Sequence, residues 1–144
     1  SFDNIEHGII RGSRSKLSLG LLPKIFVDSY ERKFRTKRTD GRVHFALNCG
    51  AKSCPAVANY DYKKLDEQMD KSTKNQLQNK TTYDKETNTI NITRLFSWFR
   101  GDFGNKKKVI KFLKKYEAIT DDIVPNINYN VYDWTMMLDN YIDL

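Results

Sequence analysis

Apolar side chains along this chain recur mostly at helical spacing, with strand-like runs between them. Residues 22–35 place Leu22, Phe26, Tyr30 and Phe34 at steps of four. That spacing predicts one face of an amphipathic helix packed inward, with Pro23 tolerated in the first turn. Its other face carries Arg32, Lys33 and Arg35. Residues 1–11 read as a helix start, capped by Ser1 or Asp3 and striped by Phe2, Ile5, Ile9 and Ile10. Tyr60 or Asp61 opens a polar helix that turns Leu65, Met69, Thr73 and Leu77 inward. Leu95–Phe99 is a short aromatic turn that Gly101 and Gly104 would end. Residues 105–118 form a further helix, with Val109, Ile110, Phe112, Leu113 and Tyr116 facing the core.

Four stretches read as strands. Thr81–Asp84 and Thr89–Thr93 pair across the turn Lys85–Asn88. Val43–Asn48, after the Asp40-Gly41 turn, reads as a short buried strand, and Ile127–Trp134 as the last one. The expected fold is α+β, a small mostly antiparallel sheet packed with several helices. Strands and helices do not alternate strictly, which argues against a doubly wound parallel sheet. Nothing divides residues 1–144, so a single domain is expected.

Composition adds two constraints. With 144 residues, 12% of them aromatic, the chain can build a core without disulfide or metal staples. No apolar run approaches the roughly 20 residues that cross a bilayer. Charge adds a third. The net charge is +7, and residues 11–42 hold all of the excess, with ten Lys/Arg against three Asp/Glu. A basic stretch of that kind suits an anionic partner, the alternative function being a non-catalytic structural or interaction module with a basic helix at 24–38 as its contact surface; a merely solvated face is the plainer reading.

The chemistry concentrates in His44-Phe45-Ala46-Leu47-Asn48-Cys49-Gly50-Ala51-Lys52-Ser53-Cys54-Pro55. Here a strand stops at a glycine turn with a cysteine at each end, a common place to present functional groups. Strand geometry would put His44, Ala46 and Asn48 on one face and Phe45, Leu47 and Cys49 on the other.

Four readings stay open. Cys49 or Cys54 can be a nucleophile activated by His44 or His7, the only two imidazoles, with Glu6 beside His7 and an acid such as Asp133 orienting the ring. Cys49 and Cys54 can be joined as a disulfide. Two Cys and two His match the ligand number of tetrahedral zinc, but in no common zinc spacing. Finally, the stretch can be a packed corner, with Asn48 and Ser53 as turn formers. Tyr132, Asp133 and Trp134 are candidates to line a groove for a small molecule or peptide, while Trp98, Phe99 and Phe103 read as packing residues. There is no phosphate loop, nucleotide fingerprint or metalloprotease helix, and no cofactor or metal is expected.

Four blocks together resemble one family. They are Asn4-Ile5-Glu6-His7-Gly8-Ile9-Ile10-Arg11, the His44–Pro55 stretch, Leu95–Phe99 followed by Asp102-Phe103, and Tyr129 with Tyr132-Asp133-Trp134. The combination is similar to the signature of DUF547 domains, a family without an assigned reaction. The resemblance implies a shared fold and a groove near His7, His44, Cys49 and Cys54. Family members usually carry a helix rich in Trp, Asn and Tyr before the Ile-Glu-His block, so an N-terminally truncated domain is expected. The paired cysteines suit an exported bacterial protein whose signal peptide is absent from this chain.

Overall fold

A computed structural model describes residues 4–15, 19–120 and 122–144. Ser1, Phe2 and Asp3, the expected cap and first stripe residue, lie outside them. The chain is α+β, with a three-stranded sheet ordered β1 (Thr82–Asp84), β2 (Thr89–Ile92), β3 (Asn126–Tyr129). β1 and β2 form the expected antiparallel hairpin, with Tyr83 opposite Ile90. β3 runs parallel to β2, pairing Ile90 with Ile127. A parallel neighbour needs a long crossover, and residues 93–125 supply it. They contain α3 (Leu95–Trp98), α4 (Arg100–Phe103) and α5 (Lys106–Lys115).

Period-two burial on β2 puts Ile90 and Ile92 fully inside. They meet Phe45, Leu77, Phe96 and Leu113 in one cluster. The earlier helix α2 (Leu65–Lys80) contributes Met69, Thr73 and Leu77 as expected, whereas Leu65, at its frayed first turn, is exposed. α5 is capped by Asn105, whose side chain accepts from the Lys108 N–H at 3.1 Å. It buries Val109, Ile110 and Leu113.

Three expectations change. Gly41–Phe45 is a 3-10 turn, not the start of a strand. Asp40 caps it, accepting from the Arg42 N–H at 2.9 Å. Arg42 then reaches Asp66 and Asp70 beside α2, and the Ser72 hydroxyl donates to the Phe45 carbonyl at 2.6 Å. These ties hold the segment to a helix rather than to a sheet edge. His44 and Phe45 are therefore both buried, instead of on opposite faces.

The second change falls on residues 22–35, which are helical only over Ser29–Phe34, named α1. Its inward residue is Glu31, 1% exposed and paired with Lys24 Nζ at 2.6 Å. Leu22, Phe26, Tyr30 and Phe34 face outward. Only Tyr30 and Phe34 of the apolar stripe lie in the helix, and Glu31, not the stripe, meets the body of the protein. The third is the last strand, which ends at Tyr129; residues beyond it continue without a ladder.

Candidate functional site

The first segment is a π-helical stretch, Asn4–Ile10, with Arg11 just after it. Arg11 runs inward and is 1% exposed. Its Nε donates to Asp102 Oδ2 at 2.6 Å. His44 Nε2 meets the same oxygen at 2.8 Å. An ionised carboxylate only accepts, so His44 donates from Nε2, and a neutral ring keeps its lone pair on Nδ1. Phe99 stacks on the imidazole at 3.8 Å between centroids and lies under the Arg11 guanidinium at 4.6 Å. Arg11 Nη1 is 2.6 Å from His7 Nδ1. Arginine has no acceptor, so His7 accepts there; its Nε2 lies 3.7 Å from Glu6 Oε1.

Glu6, His7, Arg11, Asp102 and His44 thus form one chain of polar contacts. Burial pushes the pKa of His44 down, and Asp102 only partly opposes this. Burial likewise lowers His7. For Asp102, burial acts upward but is outweighed by His44 and Arg11, which hold the carboxyl below its ordinary range. Among the described residues, Arg11 Nη2 and Asp102 Oδ1 are buried without a partner. The loop at Gly20 closes over both. A Cβ on Gly20 would come within 2.6 Å of Arg11 Nη2, and one on Gly101 would sit 2.0 Å from the Gly20 carbonyl oxygen. Two glycines therefore let backbone pack directly on backbone above the ion pair.

The sulfur side of the site is built by two segments laced together. Gly50, at φ +85°, turns the chain between the cysteines. Asn48 braces that turn, accepting from the Gly50 N–H and donating to the Pro55 carbonyl, both at 2.5 Å. The stretch after β3 then runs alongside. The Lys52 N–H donates to the Thr135 carbonyl and the Met137 N–H to the Gly50 carbonyl, each at 2.8 Å. Ser53 Oγ accepts from the Asp133 N–H at 2.8 Å. Tyr132 is carried onto the thiols, its hydroxyl 3.2 Å from Cys54 Sγ and 3.9 Å from Cys49 Sγ.

Both cysteines are free thiols, Cys49 exposed and Cys54 buried, so the disulfide reading does not describe this state. The Cys49 N–H points at Cys54 Sγ at 3.2 Å. Burial raises the Cys54 thiol, but the Cys49 thiol, the Tyr132 hydroxyl and the Cys49 N–H outweigh it and bring the pKa below the ordinary value. Burial and the Cys54 sulfur push Cys49 up instead.

Between the two halves lies a cavity of about 250 Å³. His44, Asn48, Cys49, Cys54 and Tyr132 open on it, with Glu6 also in its wall. Trp98, Tyr132 and Trp134 form one aromatic wall, with Trp98 and Trp134 stacked 5.6 Å apart. The volume lies just below the ~300–1,000 Å³ common for ligand pockets, which suits a small molecule or one side chain of a peptide.

The structure separates the expected residues. His44, Cys49, Cys54, Asn48, Glu6, Tyr132 and Trp134 share the cavity. His7 sits behind it, bonded to Arg11. Asp133 does not orient an imidazole. Its carboxylate accepts from the Thr135 N–H at 2.9 Å and lies 3.5 Å from Lys52 Nζ. The acid that holds His44 is Asp102, and sequence reasoning missed both it and Arg11. Each stood inside one of the motif blocks, and for Asp102 the available signal was its being the one charge in an aromatic block. Phe103 packs in the core as expected, whereas Trp98 and Phe99 also line the cavity. The four-ligand zinc arrangement fails on the imidazoles, which Arg11 and Asp102 engage. Among the described residues no three His, Cys, Asp or Glu are placed to hold a metal ion together.

Fold and site together define a small α+β domain with a thiol-bearing cavity set against a buried imidazole–carboxylate–guanidinium network. The chain belongs to the family described as "Protein of unknown function, DUF547", whose pattern matches residues 1–77. No curated protein and no solved structure matches it. Among the described residues no helix is long and apolar enough to cross a membrane.

Proposed function

We propose that the cavity is a thiol-dependent acyl-transfer or hydrolase site for a small ester, amide or peptide group. The observation that carries this reading is that the Cys54 thiol and an Asp102-held imidazole, His44, open on one small cavity. Cys54 Sγ attacks the acyl carbon, forming an S–C bond as the C–O or C–N bond breaks. The thiol proton passes to His44 Nδ1 and then to the leaving group, and water later cleaves the thioester. Asp102, accepting from Nε2, keeps the ring in the tautomer whose lone pair is on Nδ1. The aromatic wall seats the apolar part of the substrate. Contributions from Arg11 near the start of the chain and Trp134 near its end support reading residues 1–144 as one domain.

The test is a p-nitrophenyl acetate reaction with the reduced chain, followed by intact mass. The expected result is an acyl adduct on Cys54, absent in Cys54→Ala and formed roughly 10²–10⁴-fold more slowly in His44→Asn. An adduct that forms equally well without Cys54, or no adduct at all, overturns the reading.

A second reading has its own support. Ile25 and Phe26 are 89% and 86% exposed and share a surface pocket with Lys24 and Arg32, which favours a contact surface for an anionic partner.

A further inference from the structure

The two thiols themselves carry a second inference. The Cys49 N–H lies 3.2 Å from Cys54 Sγ, and the Tyr132 hydroxyl contacts both sulfurs. Their exposure differs: Cys49 is open to solvent, and Cys54 is buried behind it. The intervening backbone is already folded into a closed turn, with the Cys54 N–H donating to the Ala51 carbonyl at 2.9 Å. The stretch after β3 holds that turn from outside through Gly50, Lys52 and Ser53. An accessible sulfur, a shielded sulfur beside it and a preformed loop are what stepwise disulfide exchange requires.

We propose that Cys49 and Cys54 are a reversible redox pair, which a small disulfide such as glutathione disulfide closes into an intramolecular disulfide. The Cys49 thiolate attacks glutathione disulfide, forming a Cys49–S–S–glutathione bond and releasing one glutathione thiolate. The Cys54 thiolate then attacks Cys49 Sγ, forming the Cys49–Cys54 bond and releasing the second. Two protein thiols are oxidised and one glutathione disulfide is reduced to two thiols. Exposure and size set the order: a disulfide as bulky as glutathione disulfide reaches the exposed Cys49, while Cys54, buried behind it and open only on the small cavity, resolves the adduct. Closure consumes the proposed nucleophile, so the consequence for catalysis rests on the function proposed above, while the exchange chemistry does not.

The experiment equilibrates the full chain in glutathione buffers of rising disulfide content, quenches in acid, labels free thiols with maleimide and reads intact mass. Wild type is expected to pass from two labels to none, losing two hydrogens and accumulating no glutathione adduct. Cys54→Ser is expected to keep a stable glutathione adduct on Cys49, and Cys49→Ser to remain unmodified at the disulfide level that oxidises wild type. A persistent adduct on wild type, retention of both labels, or equally fast modification of Cys49→Ser overturns the pair. The p-nitrophenyl acetate assay separates the two ideas. A disulfide without any acylation of the reduced chain sinks only the hydrolase reading, and acylation without a disulfide sinks only the redox pair. If both hold, oxidation abolishes acylation and dithiothreitol restores it.

Discussion

Around Asp102, charged side chains sit inside the protein; along residues 19–38, apolar ones sit outside it. Arg11, Asp102 and His44 are nearly or wholly inaccessible, yet each finds partners in the others. Ile25, Phe26 and Tyr30 show most of their surface to solvent, although their spacing is that of a packed helix. The contrast shows that periodicity reports which residues share a face and not whether the face meets anything. A buried charge, by contrast, is a strong constraint, because an unpaired one is so unfavourable that its partner must lie nearby. Position within the fold follows pairing at the first place and the absence of a covering element, among the described residues, at the second.

Breaking the network should produce the largest effect. Asp102→Asn removes the negative charge between Arg11 and His44 while keeping the shape of the side chain. We expect a loss of about 3–5 kcal/mol in urea unfolding, the range for stripping one partner from a buried ion pair. Replacing both charges, Arg11→Met with Asp102→Leu, should recover much of that loss. If Asp102→Asn unfolds at the wild-type midpoint, the inner network contributes nothing to stability and the comparison collapses.

Acid sharpens the same contrast at smaller cost. Burial depresses His44 below its ordinary value of 6.5, and Arg11 and His44 hold Asp102 below 3.8. In both cases the unfolded chain takes up its proton first as pH falls. The unfolded state therefore binds more protons, and stability falls with pH. Loss should begin as pH drops through about 6.5 from His44 and continue below about 3.8 from Asp102, as each approaches its folded pKa. Urea midpoints across this range are the measurement. A midpoint that rises on acidification between about pH 7 and 5 would contradict a neutral, buried His44.

Much of the scaffold was legible because it depends on local rules. The β1–β2 hairpin follows from its turn and flanking residues, and α5 from the burial stripe of Val109, Ile110 and Leu113. The 3-10 turn at Gly41–Phe45 was not legible, because the contacts that hold it, Arg42 to α2 and Ser72 to Phe45, are made across more than twenty residues of chain. The cysteine turn was legible from Asn48 and Gly50. Its imidazole side was only half so: His44 stood out by type, but the choice between Asp102 and Asp133 depended on tertiary geometry. Asp133 lies next to two cavity aromatics in sequence, and its carboxylate nonetheless turns toward Thr135.

The outer stretch yields the smallest expected effect on folding, and for that reason tests the comparison from the other side. Ile25→Ser with Phe26→Ser replaces two large apolar groups that bury almost nothing, so urea unfolding should move by less than about 0.5 kcal/mol per site. Truncations inside the Phe45–Leu113 cluster would cost several times that, about 2–5 kcal/mol each. A contact role for the surface predicts a separate signature. Binding of the chain to polyphosphate should weaken steeply as salt rises. It should also weaken in Arg32→Glu with Lys33→Glu, at unchanged stability. If the serine variant is as destabilised as a core truncation, Ile25 and Phe26 are covered in the folded protein and the stretch belongs to the interior. If stability holds but polyphosphate binding ignores both salt and the charge reversal, the stretch remains a solvated edge and the anionic-partner reading falls.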